Sequence, residues 1–144
     1  ILASAGLIRL GFADRIAESI PVADSLPAGG QGAVGIELRS ADEEVRHLLQ
    51  ALHHEPTAWR VTAERAMNRR LQGGCQVPIA CDAEFLEQGD TLRLRGLVGQ
   101  PDGLRILRAE GAAPAGEAEA LGIRVAEDLL AQGAAEILAA VYGR

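Results

Sequence analysis

Cys75 and Cys81 are the only two cysteines in this chain, and they sit in unlike surroundings. Cys75 lies in LQGGCQVP (71–78), a glycine turn just past the end of a helical pattern. Two glycines leave the backbone bare, and a turn projects its side chains outward, which suits a thiol that another molecule must reach. A helix C-terminus raises a thiol pKa rather than lowering it, and Arg69 and Arg70 offset this. From spacing alone, Cys75 reads equally as an attachment point and as an incidental loop residue. Cys81 falls in an alternating run, in phase with Ile79, Ala83 and Phe85, and reads as a small buried hydrophobe. Their spacing is not C-x-x-C, so a thiol-redox pair has weak support. No histidine stands near Cys75 to activate it as a nucleophile. His47, His53 and His54 lack zinc-ligand spacing to either cysteine.

These residues hang on a readable order of elements. Residues 1–10 have the apolar content of a helix end, closed by Gly11. DRIAESI (14–20) suggests a short helical turn before Pro21. PVADSLPAGGQGAVGIELR (21–39) changes character: prolines and glycines punctuate it, and Val34, Ile36 and Leu38 alternate, which predicts a loop and then a strand. Ser40 or Asp42 caps a helix over 41–54, with acids in its first turn, histidines in its last, and Val45, Leu48, Leu49 and Leu52 as its apolar stripe. Pro56 opens a longer helix whose inner face is Trp59, Ala63, Ala66, Met67 and Leu71. Arg60, Glu64, Arg65, Asn68 and Arg69 form its polar face, and Gly73 and Gly74 end it. VPIACDAEF, TLRLRGLVG and LRILRAEG alternate as strands, with EQGD and QPDG as turns, so the spacing predicts an antiparallel meander. Two helical stretches follow, separated by Gly133. The fold class is α+β, with a three-stranded antiparallel sheet covered on one face by helices.

Composition fits a globular chain: 48% of the 144 residues are apolar and 24% charged. Aromatics are only 3%, so Leu, Ala, Val and Ile must build the core. A net charge of −6 argues against a nucleic-acid surface and leaves room for a local anion pocket. Two cysteines do not make a disulfide framework, and the chain reads as cytoplasmic and reduced, with no apolar stretch of membrane-spanning length. It opens ILASAGLIRLGF without an initiator Met, inside an apolar pattern, and reads as part of a longer chain cut within a helix.

RVTAERAMNRRLQGGCQVPIA (60–80) resembles the signature of the porphobilinogen deaminase family, also called hydroxymethylbilane synthase. SLPAGGQGAVGIELR (25–39) and LASAGLIRLGF (2–12) resemble two further segments of that family, in the same order. The resemblance implies that Cys75 carries a dipyrromethane cofactor through a thioether. It implies that four porphobilinogen molecules are joined on that primer into hydroxymethylbilane, with loss of ammonia. Arg9 matches a family arginine facing the acetate and propionate groups of the pyrroles, and guanidinium forks suit carboxylates. Gln31 and Gly32 match a segment lining the cleft near the cofactor. Glu64, Arg65 and Arg69 match polar helix positions near domain contacts, although a plain charged surface is an equal reading; Arg15 and Arg39 are weaker candidates for interdomain charge.

The resemblance also implies an architecture. Residues 1–26 would be the tail of a second domain, 27–54 a strand and helix returning to a first, and 55–144 a complete third domain. The first two are α/β domains like periplasmic binding proteins. The family's catalytic aspartate, and most of its cofactor-binding arginines, belong to a preceding segment, so no catalytic residue is expected among these 144 and the chain alone is expected to be inactive. The implied partners are porphobilinogen, the growing pyrrole chain and that preceding segment; the parent is monomeric, with no nucleic acid, membrane or metal. Two departures stand out: Gly29 replaces a bulkier family residue, and Cys81 is not a family hallmark. The alternative reading is a non-enzymatic pyrrole-binding or interaction domain.

Overall fold

The computed structural model of the chain describes residues 1–74, 76–87, 89–141 and 143. In order these form α1 (Ser4–Arg9), a 3-10 turn (Ala13–Arg15), α2 (Glu43–Leu49) with a 3-10 turn (Gln50–Leu52), α3 (Glu55–Arg70), β1 (Ile79–Phe85), β2 (Thr91–Gly99), β3 (Ile106–Pro114), a 3-10 turn (Ala115–Glu117), α4 (Ala118–Ala131) and α5 (Ala134–Val141). The sheet order is β1-β2-β3, both pairs antiparallel, with Cys81 opposite Gly96 and Gly96 opposite Ala109. Here the expected meander and the α+β class hold. The second turn closes as its residues direct: the Gly103 N–H donates to the Gln100 carbonyl, and Asp102 accepts from the Leu104 N–H.

Helices α3 and α4 cover one face of the sheet. Period-2 alternation sends Cys81, Ala83, Leu92, Leu94 and Val98 inward, where they meet Ala63, Met67, Leu121, Val125 and Leu129. Burying Met67, Leu92, Leu94, Leu121 and Leu129 completely contributes about 1.5–3 kcal/mol for each side chain before entropy is counted. Every buried apolar residue of the described chain lies between Ala63 and Leu138. Residues 1–54 contribute none, and the apolar stripe of α2 is left at the surface, with Leu48 and Leu52 both exposed.

Several local expectations are met and others corrected. Gly11, at φ 77, closes α1: its N–H reaches the Ile8 carbonyl while the Phe12 N–H reaches Leu7, the paired bonds of a Schellman cap. Asp42, not Ser40, caps α2 by accepting from the Val45 N–H at 3.1 Å. The turn expected over 14–20 is only the 3-10 turn at 13–15. The end of α3 differs in kind. Gln72, not a glycine, takes the left-handed position at φ 54, and the Gly73 N–H returns to the Asn68 carbonyl at 2.8 Å. Gly73 lies close against side chains instead: a Cβ there would stand 2.0 Å from Asn68 Oδ1 and 2.9 Å from Ile79 Cδ1, so both would have to shift.

The strand expected over Val34–Leu38 does not form; residues 33–39 are neither helix nor strand, and Val34 is 89% exposed. The outer edge of β1 is filled by other groups. Cys81 N–H donates to the Pro27 carbonyl, Ala83 N–H donates to Glu64, and Arg60 Nε donates to the Ala83 carbonyl. These bonds satisfy the edge without a fourth strand.

Candidate functional site

The glycine-rich segment folds as two successive turns. Gln31 N–H donates to the Ala28 carbonyl at 3.0 Å and Ala33 N–H to the Gly30 carbonyl at 3.1 Å. Gly30 and Gly32 take φ 78 and 81, values that a side chain resists, which favours glycine at both. The turns sit against the N-terminal half of α3, where Gly30, Gln31 and Gly32 border a depression with Thr57, Arg60, Val61 and Glu64. A larger open groove of about 700 Å³ runs beside it, with Gly30, Gly32, His53, His54 and Arg65 among its lining.

Glu64 holds this arrangement. It was read from the sequence as part of a polar helix face, yet it is only 6% exposed. One oxygen accepts the Gly30 N–H at 2.6 Å and the other the Ala83 N–H at 2.9 Å. Burial raises its pKa; the two N–H donors and Arg60 pull it back, and Asp82 adds to the rise. Beside it Cys81 is 1% exposed, as expected, and burial with the nearby Glu64 and Asp82 charges pushes its thiol up to about 12. Cys81 is therefore neither thiolate nor accessible.

The outer face of the sheet carries a charge network. Asp82, only 7% exposed, meets Arg95 at 3.0 Å and Arg60 at 3.7 Å. Glu84 takes Arg93 at 2.5 Å and Arg95 at 3.1 Å, and Arg93 above all holds its carboxyl below the usual range.

Of the residues singled out in the sequence, Gln31 and Gly32 come together on the turn over α3. Arg9 ends α1, exposed, and no hydrogen bond or ion pair joins it to them among the described residues. Cys75 lies outside the described residues; its neighbour Gly74 accepts from the Val77 N–H at 3.1 Å, just ahead of β1. Arg65 is exposed on the groove and, like Arg9, meets no acid among the described residues, whereas eight other arginines do. The sequence reading named Glu64 as a polar helix position near domain contacts but missed its burial and its two N–H partners. Its one signal is position: it follows Thr57 and Val61 along the side of α3 that faces the turns, a side that need not be wet.

Residues 58–131 match the family model described as porphobilinogen deaminase, C-terminal domain. The chain belongs to the porphobilinogen deaminase family. Residues 1–47 match a second model, porphobilinogen deaminase, dipyromethane cofactor binding domain. Porphobilinogen deaminases are transferases of tetrapyrrole synthesis that act on porphobilinogen, and the cofactor of the family is dipyrromethane. The side chains present fit such a group: it is a polycarboxylate, and Arg9 and Arg65 are guanidinium forks with no acid among the described residues occupying them. Among the described residues no helix is long and apolar enough to cross a membrane.

Proposed function

We propose that this chain is the cofactor-anchoring part of a porphobilinogen deaminase that joins four porphobilinogen molecules head to tail into hydroxymethylbilane, releasing ammonia. The observation that carries the reading is the pair of family models, which together account for residues 1–47 and 58–131 in the family's order. When bound, dipyrromethane supplies the primer on which the product grows.

Cys75 is its attachment point, through a thioether. The support is its place after Gly73 and Gly74, and the burial of Cys81, which leaves Cys75 as the other thiol. Arg9 faces carboxylates of the pyrroles, and Gln31 and Gly32 line the cleft beside them. Guanidinium forks hold carboxylates in a fixed orientation, and a bare glycine backbone lets a bulky ligand approach closely. We assign no catalytic acid to these residues. The 144 residues are inactive alone and need a preceding segment of the enzyme that carries the catalytic aspartate. Residues 55–144 form the third domain, supported by a core built wholly within 63–138. Residues 1–26 and 27–54 complete two periplasmic-binding-protein-like domains. The parent is a cytoplasmic monomer.

The test is intact mass with peptide mapping. In the enzyme that joins this chain to the preceding segment, a mass gain of two linked pyrroles on Cys75, lost in Cys75→Ser, is the expected result; the 144 residues made alone can leave Cys75 unmodified. The same gain on Cys81 or elsewhere overturns the assignment of Cys75.

A second reading, an interaction module without turnover of its own, is favoured by the exposed apolar residues Ile8, Leu10, Leu48 and Leu52. Adding the preceding segment in trans separates the two: restored porphobilinogen consumption supports the enzyme part, and tight association without turnover supports the module.

A further inference from the structure

Glu64 is a buried carboxylate to which the proposed chemistry gives no task, and its two oxygens serve two different parts of the chain. Oε2 accepts the Gly30 N–H at 2.6 Å, 34 residues away in sequence, and Oε1 accepts the Ala83 N–H at 2.9 Å, 19 residues away. Gly30 leads into the turn bearing Gln31 and Gly32; Ala83 lies on the outer edge of β1. A parallel tie runs from the Cys81 N–H to the Pro27 carbonyl at 2.9 Å. Gly29 lies so close to the same strand that a Cβ on it would stand 3.0 Å from Cys81 Sγ.

We propose that Glu64 is a positioning residue: its carboxylate clamps the glycine-rich turn to the edge of β1 and so fixes Gln31 and Gly32 relative to the sheet. The functional half of this rests on the reading that Gln31 and Gly32 face the cofactor. Only a carboxylate of this length serves. It offers one acceptor to each of two donors, whereas glutamine offers one oxygen and turns an NH2 donor toward the other N–H. An apolar residue would leave both donors without an acceptor.

Hydrogen exchange on the whole 144-residue chain tests the clamp, at one neutral pH. In the unaltered chain the Gly30 amide should exchange at least roughly tenfold more slowly than the exposed Gly29 amide, as a hydrogen bond to a charged group implies. Equal rates overturn the proposal, whether or not any variant folds. In Glu64→Gln, exchange over residues 28–33 should rise about tenfold while β2 amides change by less than about threefold. A rise in step across turn and sheet would assign Glu64 to general packing, and no rise would assign it nothing; either outcome overturns the clamp. If exchange behaves as expected but Cys75 never gains the dipyrromethane mass in the enzyme completed by the preceding segment, the cofactor reading fails and the clamp stands.

Discussion

Gly122 of α4 crosses Ala63 of α3 so closely that a Cβ on Gly122 would stand 2.2 Å from the Ala63 carbonyl oxygen and 2.9 Å from the Met67 nitrogen. Both are backbone atoms within a helix and cannot rotate away. The two helices touch here along their length, and this crossing seats both on the sheet. Gly122→Ala should therefore cost about 1–3 kcal/mol despite alanine's better helix propensity. Urea unfolding followed by Trp59 fluorescence checks this; an unchanged or raised midpoint would show that the helices part freely.

Cys81 should be chemically silent in the folded chain. It is 1% exposed, and its thiol is pushed up to about 12. Alkylation with iodoacetamide near neutral pH should leave the Cys81 peptide unlabelled until denaturant is added. Labelling in native buffer, or a disulfide from Cys81 to Cys75, would reopen the redox reading.

Glu64 makes a pH prediction whose sign runs against habit. Burial holds its folded pKa above the ordinary value of 4.5, with Asp82 adding to the rise and Gly30, Ala83 and Arg60 opposing it. The folded state then binds the proton more tightly than the unfolded chain. The pH-dependent part of its contribution to stability is fully present below about pH 4.5 and is lost as pH rises through the folded pKa, while the hydrogen bonds its carboxylate accepts from Gly30 and Ala83 persist above it. Glu84 acts in the opposite direction, since Arg93 lowers its pKa, and its contribution is lost as pH falls through the folded value. The stability difference between the unaltered chain and Glu64→Gln should thus shrink as pH rises from that point, which isolates Glu64 from Glu84. Urea titrations of both proteins across the acid range test it, and a difference that grows with pH would refute the burial argument.

Asp82 and the exposed acid Glu127 should part company on mutation. Asp82 is 7% exposed and shared by Arg95 and Arg60, and Arg95 Nε already lacks an acceptor among the described residues. Asp82→Ala should destabilise by roughly 1–3 kcal/mol, because it leaves a half-buried guanidinium poorer still. Glu127 meets Arg70 at 2.6 Å, but both side chains are about half exposed, so Glu127→Ala should cost under about 1 kcal/mol and lose even that in salt. Paired denaturation curves at low and high salt decide; equal costs would mean that the outer sheet face is as wet as the helix surface.

The sequence by itself determined the elements whose cause is local. Alternation over 91–99 and the Gln100–Gly103 turn specify a meander, because period 2 and turn chemistry act within a few residues. Pro56 and Gly133 mark helix limits for the same reason, and the motif around Cys75 points to the family that the comparisons show. Tertiary structure alone decided what depends on a distant partner. Val34, Ile36 and Leu38 alternate like a strand but pair with none among the described residues, and the edge of β1 is taken by Pro27, Glu64 and Arg60. Gln72 takes the left-handed cap position, while Gly73 sits close against the Asn68 and Ile79 side chains. Glu64 reads as solvated charge in its own helix, and only the approach of Gly30 and Ala83 from 34 and 19 residues away makes it a buried acceptor. Local periodicity has no term for groups that meet only after the chain has closed.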